Sequence, residues 1–315
     1  MRRRPRQQTG RAKPQRARPN AQLRAGFTLI ELVVVIALVG ILSVGLAEIL
    51  RNPMQGYIAV SRRAELVALA DLTLNRMTRD LRRALPNSIR VAGGGQVLEL
   101  LHTVDGARYR ADPGINDPGG AGEEDHTAAT DWLSFGGDTR FNILGRFQNL
   151  GVSPGSALPG GTRLAIYPTG TSVWSDAALG SNPGTITPST TLITLNDDSD
   201  EDQLQLGVAH RFPLASPSQR AYLVDTPVTY LCDSSTETLW RIDGYAAAAA
   251  QPTARAAAPL SAGTQARTTD LVEQCVFDYS PGTPSRSGLV TLEIVLEQEG
   301  ERVRLLQQVQ VFNAP

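Results

Sequence analysis

The apolar and polar positions of the chain fall into three regimes. From Phe27 to Leu50 the sequence FTLIELVVVIALVGILSVGLAEIL is apolar almost throughout. As a helix rising 1.5 Å per residue this stretch spans roughly 36 Å, enough to cross a bilayer. Pro53 is expected to break or bend the helix at the end of that stretch, because proline lacks an N–H and clashes with the preceding turn. Further on, Tyr57, Val60, Ala64, Val67, Ala70, Leu74, Met77, Leu81 and Leu85 recur at steps of three and four, which predicts one apolar face of an amphipathic helix ending at Pro86-Asn87-Ser88.

After residue 90 the period shortens to that of strands separated by Gly, Pro, Asn and Asp. Expected strands are Val97 to Val104, Asp131 to Phe135, Arg163 to Tyr167, Thr191 to Leu195, Ala221 to Cys232, Thr238 to Ile242, Leu271 to Tyr279, Leu289 to Leu296 and Val303 to Phe312. Segments 112 to 130 and 244 to 270 read as long loops, the second holding five consecutive alanines from Ala246. The expected organisation is a leader over 1–26, a transmembrane helix over 27–52, an amphipathic helix over 53–86 and a β-rich domain over 87–315. In class this is α+β, a long N-terminal helix packed on a β-rich domain.

Charge adds orientation. Residues 1 to 26 hold nine basic side chains and no acid, so a chain of net charge −1 becomes about −10 without them. A basic leader before one apolar span stays in the cytoplasm and sends the bulk of the chain outward, to the periplasm. The plausible processing point, Ala25-Gly26 before Phe27, precedes the apolar core instead of following it as in a secretory signal, so the helix stays on the mature protein. Lys13 is the sole lysine. That removes P-loop and Schiff-base chemistry from everything downstream. The two cysteines, Cys232 and Cys275, form no C-x-x-C pair, and in an oxidising periplasm they are expected to be joined.

Gly26-Phe27-Thr28-Leu29-Ile30-Glu31 resembles the cleavage and methylation site of type IV prepilins and type II secretion pseudopilins. The resemblance implies that a prepilin peptidase cuts after Gly26 and methylates the new N-terminus, Phe27. It also implies an inner-membrane assembly platform, other minor and major pilins as partners, and a final place on the pilus or cell surface. Glu31 carries weight independently, since a carboxylate inside an apolar membrane helix is costly and calls for a partner. The resemblance supplies one, the N-terminal amine of a neighbouring subunit, with snorkelling to the interface as the plain alternative. Glu48, near the other end, reads as interfacial.

Arg62-Arg63-Ala64-Glu65-Leu66, Met77, Arg79 through Ser88, Cys275 through Tyr279 and Gly288 through Leu292 are similar to minor pilins of the mannose-sensitive haemagglutinin type. What this implies is a structural subunit, not an enzyme. A type II secretion pseudopilin of the J type and a pilus tip adhesin are the alternatives.

Rival chemistries are weaker. Gly151-Val152-Ser153-Pro154-Gly155 fits G-x-S-x-G, but Pro154 has no N–H to donate to an oxyanion, and Pro159 leaves no room for the following helix. Asp198, Asp200 and Asp202 alternate as in a calcium loop, yet Gln203 and Ala209 stand where an EF-hand needs Gly and Glu. No cofactor is expected, and calcium in a looser acidic turn is the weak candidate. Arg76, Arg79 and Arg83 share a helical face of the kind that contacts phosphates, but the acidity of the mature chain argues against nucleic acid. Contacts to acidic faces of companion subunits, involving also Arg62, Arg63 and Arg82, fit better. His102, His126 and His210 have no ligand spacing.

Overall fold

A computed structural model describes residues 26–169, except 114–127, then 172–198, 200–282 and 286–313, with the side chains of 47–55 excepted. The leader, His126 and the side chain of Glu48 therefore lie outside the described residues. The chain divides into two compact units, one ending at Ile58 and one beginning at Ala59.

Helix α1, Leu29–Arg82, runs for 54 residues. It is continuous through Pro53, so the break expected there does not occur. A proline forfeits one hydrogen bond, and the turns on either side keep theirs. Within the second unit the buried face is Leu66, Ala70, Thr73, Leu74, Met77 and Leu81. The expected face is therefore right from Ala70 onward and wrong before it. Val60 (70% exposed), Val67 (40%) and Ala64 are exposed there, and Tyr57, in the first unit, is 76% exposed. The helix ends at Arg82, one turn before Pro86. Arg83 and Ala84 close it with tight i−3 bonds to Asp80 and Leu81, and the Leu85 amide then donates to Leu101 in the sheet.

The β domain contains β1 Arg90–Ala92, β2 Val97–Arg108, β3 Asp138–Ile143, β4 Ser156–Ala157, β5 Arg163–Ile166, β6 Ile193–Asp198 and β7 Glu201–His210. Then follow β8 Arg220–Asp233, β9 Thr238–Asp243, β10 Thr264–Thr269, β11 Val272–Ser280, β12 Gly288–Gln298 and β13 Glu301–Val311. Helix α2, Val173–Leu179, lies between β5 and β6. Every pairing is antiparallel, in three sheets: β1-β2-β8-β9-β10 with β5 also on β8, then β11-β12-β13, then β3-β7-β6-β4.

Asp131 to Phe135, expected as a strand, is a turn region. Asp131 explains this, since its carboxylate accepts the Ala128 N–H at 2.9 Å and so closes a local turn. Segment 244 to 270 is a loop only in part, because β10 ends it. β1, β3, β4, β7 and β10, together with α2, had no counterpart among the expectations.

One core joins the helix to two of the sheets. Leu74, Met77 and Leu81 pack with Leu98, Leu100, Val228 and Tyr230 of the large sheet and with Phe277, Leu292 and Ile294 of the three-stranded one. Cys232 on β8 and Cys275 on β11 form a disulfide within that core, with Cα atoms 6.1 Å apart, so the staple ties the two sheets together. A second core, around Phe141, Leu164, Leu204, Phe212 and Leu223, sits against the four-stranded sheet.

Polar anchors fix the loops. Arg90 donates to buried Glu99 at 2.7 Å and stacks 3.6 Å over Trp174. Its other guanidinium nitrogens donate to the carbonyls of Ala249 (2.6 Å) and Ala248 (2.8 Å), so the alanine run is held by its main chain. Burial raises the pKa of Glu99 against the opposing pull of Arg90. His210 is 1% exposed and bonds the Gly184 carbonyl at 2.8 Å through Nε2.

Two measurements test this account. Removing the disulfide by Cys275→Ser should lower stability by about 4 kcal/mol, the chain-entropy value for a loop of this length, as read from denaturant unfolding of the oxidised and mutant proteins. Burial lowers the pKa of His210 against the opposing pull of the Gly184 carbonyl and then of Asp176, so the folded state prefers the neutral ring. This contribution is complete above the unfolded value of about 6.5 and shrinks as pH falls below it, because the unfolded state then binds the proton the folded state resists. Denaturant midpoints should fall between about pH 7.5 and 5.5, and His210→Leu should flatten that slope.

Candidate functional site

The site begins where the helix begins. Gly26 and Phe27 precede it, with Phe27 82% exposed, and Leu29 to Glu31 form its first turn. Thr28 is the cap, its Oγ1 accepting the Glu31 N–H at 3.3 Å and its carbonyl accepting the Leu32 N–H at 3.2 Å. Threonine followed three residues later by glutamate is the sequence form of a capping box, so Thr28 sets where the first turn starts. Glu31 is then the acid in the first turn, where the unpaired amides and the helix dipole favour a negative charge. Sequence reasoning missed Thr28, although the T-x-x-E spacing was there to be read.

Behind this turn, Leu29–Leu46 is long and apolar enough to cross a membrane, and none of it is buried within the chain. An apolar surface of that length with no cover of its own is a surface for lipid or for other helices.

The second candidate region is the arginine-rich end of α1. Arg62 pairs with Glu299, and Arg63 lies 3.6 Å from Glu301, so both are engaged within their own domain. Arg83 donates to the Val104 carbonyl at 3.2 Å. Arg76, Arg79, Arg82 and Arg83 line a cleft with Asp80 and Arg241. Among the described residues lining it Asp80 is the only acid, and it is already engaged, accepting from Tyr230 Oη at 2.8 Å and from Arg241 Nε at 2.7 Å. Burial, then the Asp80 charge, pushes the Tyr230 phenol well above its ordinary value. Among the described residues Arg76, Arg79 and Arg82 have no acidic partner.

The other expected sites come apart. Asp197 pairs in register with Asp202, and Asp198 with Glu201, so Asp198 and Asp202 lie on opposite faces of the β6–β7 hairpin. Asp198 accepts from Asn142 at 2.7 Å, Glu201 from Arg110, and Asp202 from the Phe147 N–H at 2.7 Å with Arg146 3.7 Å away. Among the described residues no group of three or more His, Cys, Asp or Glu side chains is placed to hold a metal. Gly151 to Gly155 is loop followed by the short strand β4, with no helix at Ser153. His102 pairs with Asp225 at 2.8 Å.

Residues 22–47 match the family model described as the prokaryotic N-terminal methylation motif. This is the N-terminal signature of type IV pilin-like and pseudopilin proteins, and it covers Gly26, Phe27, Thr28 and Glu31 together with the apolar span. No curated protein and no solved structure matches the chain. The motif implies processing by a prepilin peptidase, and the apolar helix is consistent with a membrane-anchored pilin.

Processing gives a direct test. Mass spectrometry of the mature protein should find N-methylated Phe27 as the first residue, and Gly26→Leu should leave the preprotein uncut. A mature N-terminus at Met1, or beyond Leu50, would overturn this reading.

Proposed function

We propose that the protein is a minor pilin, a non-catalytic structural subunit that takes part in assembling or initiating a type IV pilus of the mannose-sensitive haemagglutinin type. The observation that carries the reading is the methylation motif at the head of an apolar helix, with Glu31 in the first turn. In this reading the helix first anchors the chain in the inner membrane, with the β domain in the periplasm, and later packs among neighbouring helices at the filament core. Glu31 pairs there with the amine of Phe27 on the next subunit, which offsets two desolvated charges and fixes the axial register. The exposed residues Tyr57, Val60 and Val67 extend the apolar surface beyond the membrane span and give companion helices more to pack on.

The minor role rests on bulk. A domain running from residue 87 to 315 crowds its neighbours if repeated at every step of a thin filament, whereas a few copies at one end avoid that. Arg76, Arg79 and Arg82, which lack acidic partners among the described residues, suit acidic faces of companion subunits, each exposed pair contributing up to about 1 kcal/mol. The J-type pseudopilin reading shares the same N-terminus, and neighbouring genes separate the two.

The test isolates Glu31. Glu31→Leu should still insert and be cut, while its co-purification with filaments falls at least tenfold. Unchanged incorporation would dispose of the pairing. In the wild type, immunogold should find the protein sparse or confined to one end, whereas uniform labelling along the shaft would remove the minor-subunit assignment and leave the pilin reading intact.

A further inference from the structure

Strand β13 pairs with β12 alone, and its other edge is open. The two strands are joined by the two-residue turn Glu299-Gly300, both with positive φ, so the flanking pair Gln298 and Glu301 exchanges main-chain hydrogen bonds in both directions. From there bonded and non-bonded pairs alternate along the antiparallel ladder, which runs without a register shift to Gly288 and Val311. Alternate residues from Glu301 to Val311 therefore bond β12, and the N–H and C=O groups of Arg302, Arg304, Leu306, Gln308 and Gln310 point the other way. These five residues are all exposed, and among the described residues their main-chain groups have no main-chain partner.

Open edges are templates for foreign strands, and proteins blunt them with shortness, bulges, prolines or a covering segment. β1, β4 and β5 are short, and β3, β10 and β11 carry register shifts against their neighbours. The main chain at Gly95 also abuts that of Phe277 on β11. β13 is 11 residues long with a continuous register, and Arg302 and Arg304 are the only charged residues of its outward five.

Direction and faces limit what can pair there. β13 begins where Arg62 and Arg63 meet Glu299 and Glu301, and it ends beside Asn313, whose carbonyl accepts from Asn87 Nδ2 at 3.2 Å. It thus runs alongside α1 in the same sense, which makes a second copy of this chain unsuitable. Two antiparallel copies of β13 would point their α1 helices in opposite directions, as two chains anchored in one membrane cannot. Two parallel copies would put the core face of one sheet on the outer side of the other. A strand added from another protein would continue the core side, where Val303, Val309 and Val311 are buried and Leu305 packs with them. Its other side would meet Arg302 and Arg304. Each of these is paired on the β12 side, with Glu273 and Glu293, and each guanidinium has further N–H donors.

We propose that the open edge of β13 takes up an extended segment of another protein by strand addition. The segment carries apolar residues at alternate positions on the core side and acidic residues between them, opposite Arg302 and Arg304. Five N–H and five C=O groups supply the affinity, and the two arginines select the partner. The exclusion of a second copy rests on the membrane-anchored reading, whereas the edge does not, so either can fail alone.

The test uses the full mature chain in a non-ionic detergent and a short fluorescein-labelled peptide of alternating valine and glutamate, with a valine and lysine peptide of the same length as control. The glutamate peptide should bind saturably in fluorescence anisotropy, and the lysine peptide at least tenfold more weakly. Residue-resolved amide exchange should then slow at Arg302, Arg304, Leu306, Gln308 and Gln310 and stay unchanged at Val303, Leu305 and Val309, which already bond β12. Gln308→Pro removes one open-edge N–H while sparing the β12 ladder, and should weaken binding at least tenfold. Arg302→Glu with Arg304→Glu should reverse the preference between the peptides, which keeps the test intact if the proline variant folds poorly. Absence of binding, equal binding of the two peptides, or protection elsewhere on the chain would overturn the site. Protection of the same five amides without peptide, rising with protein concentration, would overturn the choice of partner in favour of a second copy.

Discussion

Two of the three sheets in the second unit depend on one buried stripe of α1. Leu66, Ala70, Leu74, Met77 and Leu81 are the surface on which two separate sheets meet, and neither sheet alone covers its inner face. Truncating Met77 or Leu81 to alanine in such a setting costs about 2–5 kcal/mol, a large share of the stability of an ordinary domain. The disulfide acts at the same place, crossing from β8 to β11 inside the core that the helix organises. Helix, disulfide and these two sheets are therefore one packing problem.

Much of this was legible in the sequence, for reasons that can be named. The apolar span needed only length and composition. β8, β9, β11, β12 and β13 were visible because a strand covered on one side alternates or runs apolar, and theirs do. β7 escaped because it opens on Glu201 and Asp202, which read as part of a charged run. They are buried instead, held by Arg110 and by the Phe147 amide. β10, Thr264–Thr269, is polar except for Ala266 and takes its place from pairing with β9 rather than from any pattern of its own.

The helix face between Tyr57 and Val67 was misread for a different reason. A period of three and four fixes that a stripe exists but not where its cover ends. In the chain alone the cover begins at Leu66, and the apolar positions before it stay open. The N-terminal motif was legible nearly whole, since Gly26, Phe27 and Glu31 depend on local order and not on tertiary contacts. The shared face of Arg163 on β5, Thr103 on β2 and Tyr222 on β8 was invisible, because only strand register brings residues 59 or more apart in sequence together.

The grip of Arg90 on the alanine run has a consequence for how the protein can change. Arg90 holds the carbonyls of Ala248 and Ala249, groups that every amino acid possesses, and Ala249 and Ala250 are exposed. The position of the alanine run is thus specified by Arg90 and by the flanking side chains of Tyr245 and Gln251, and hardly at all by the side chains of the alanines themselves. Its outer face is free to drift in sequence, and so to present a changing surface to whatever meets it, while the loop itself stays where it is.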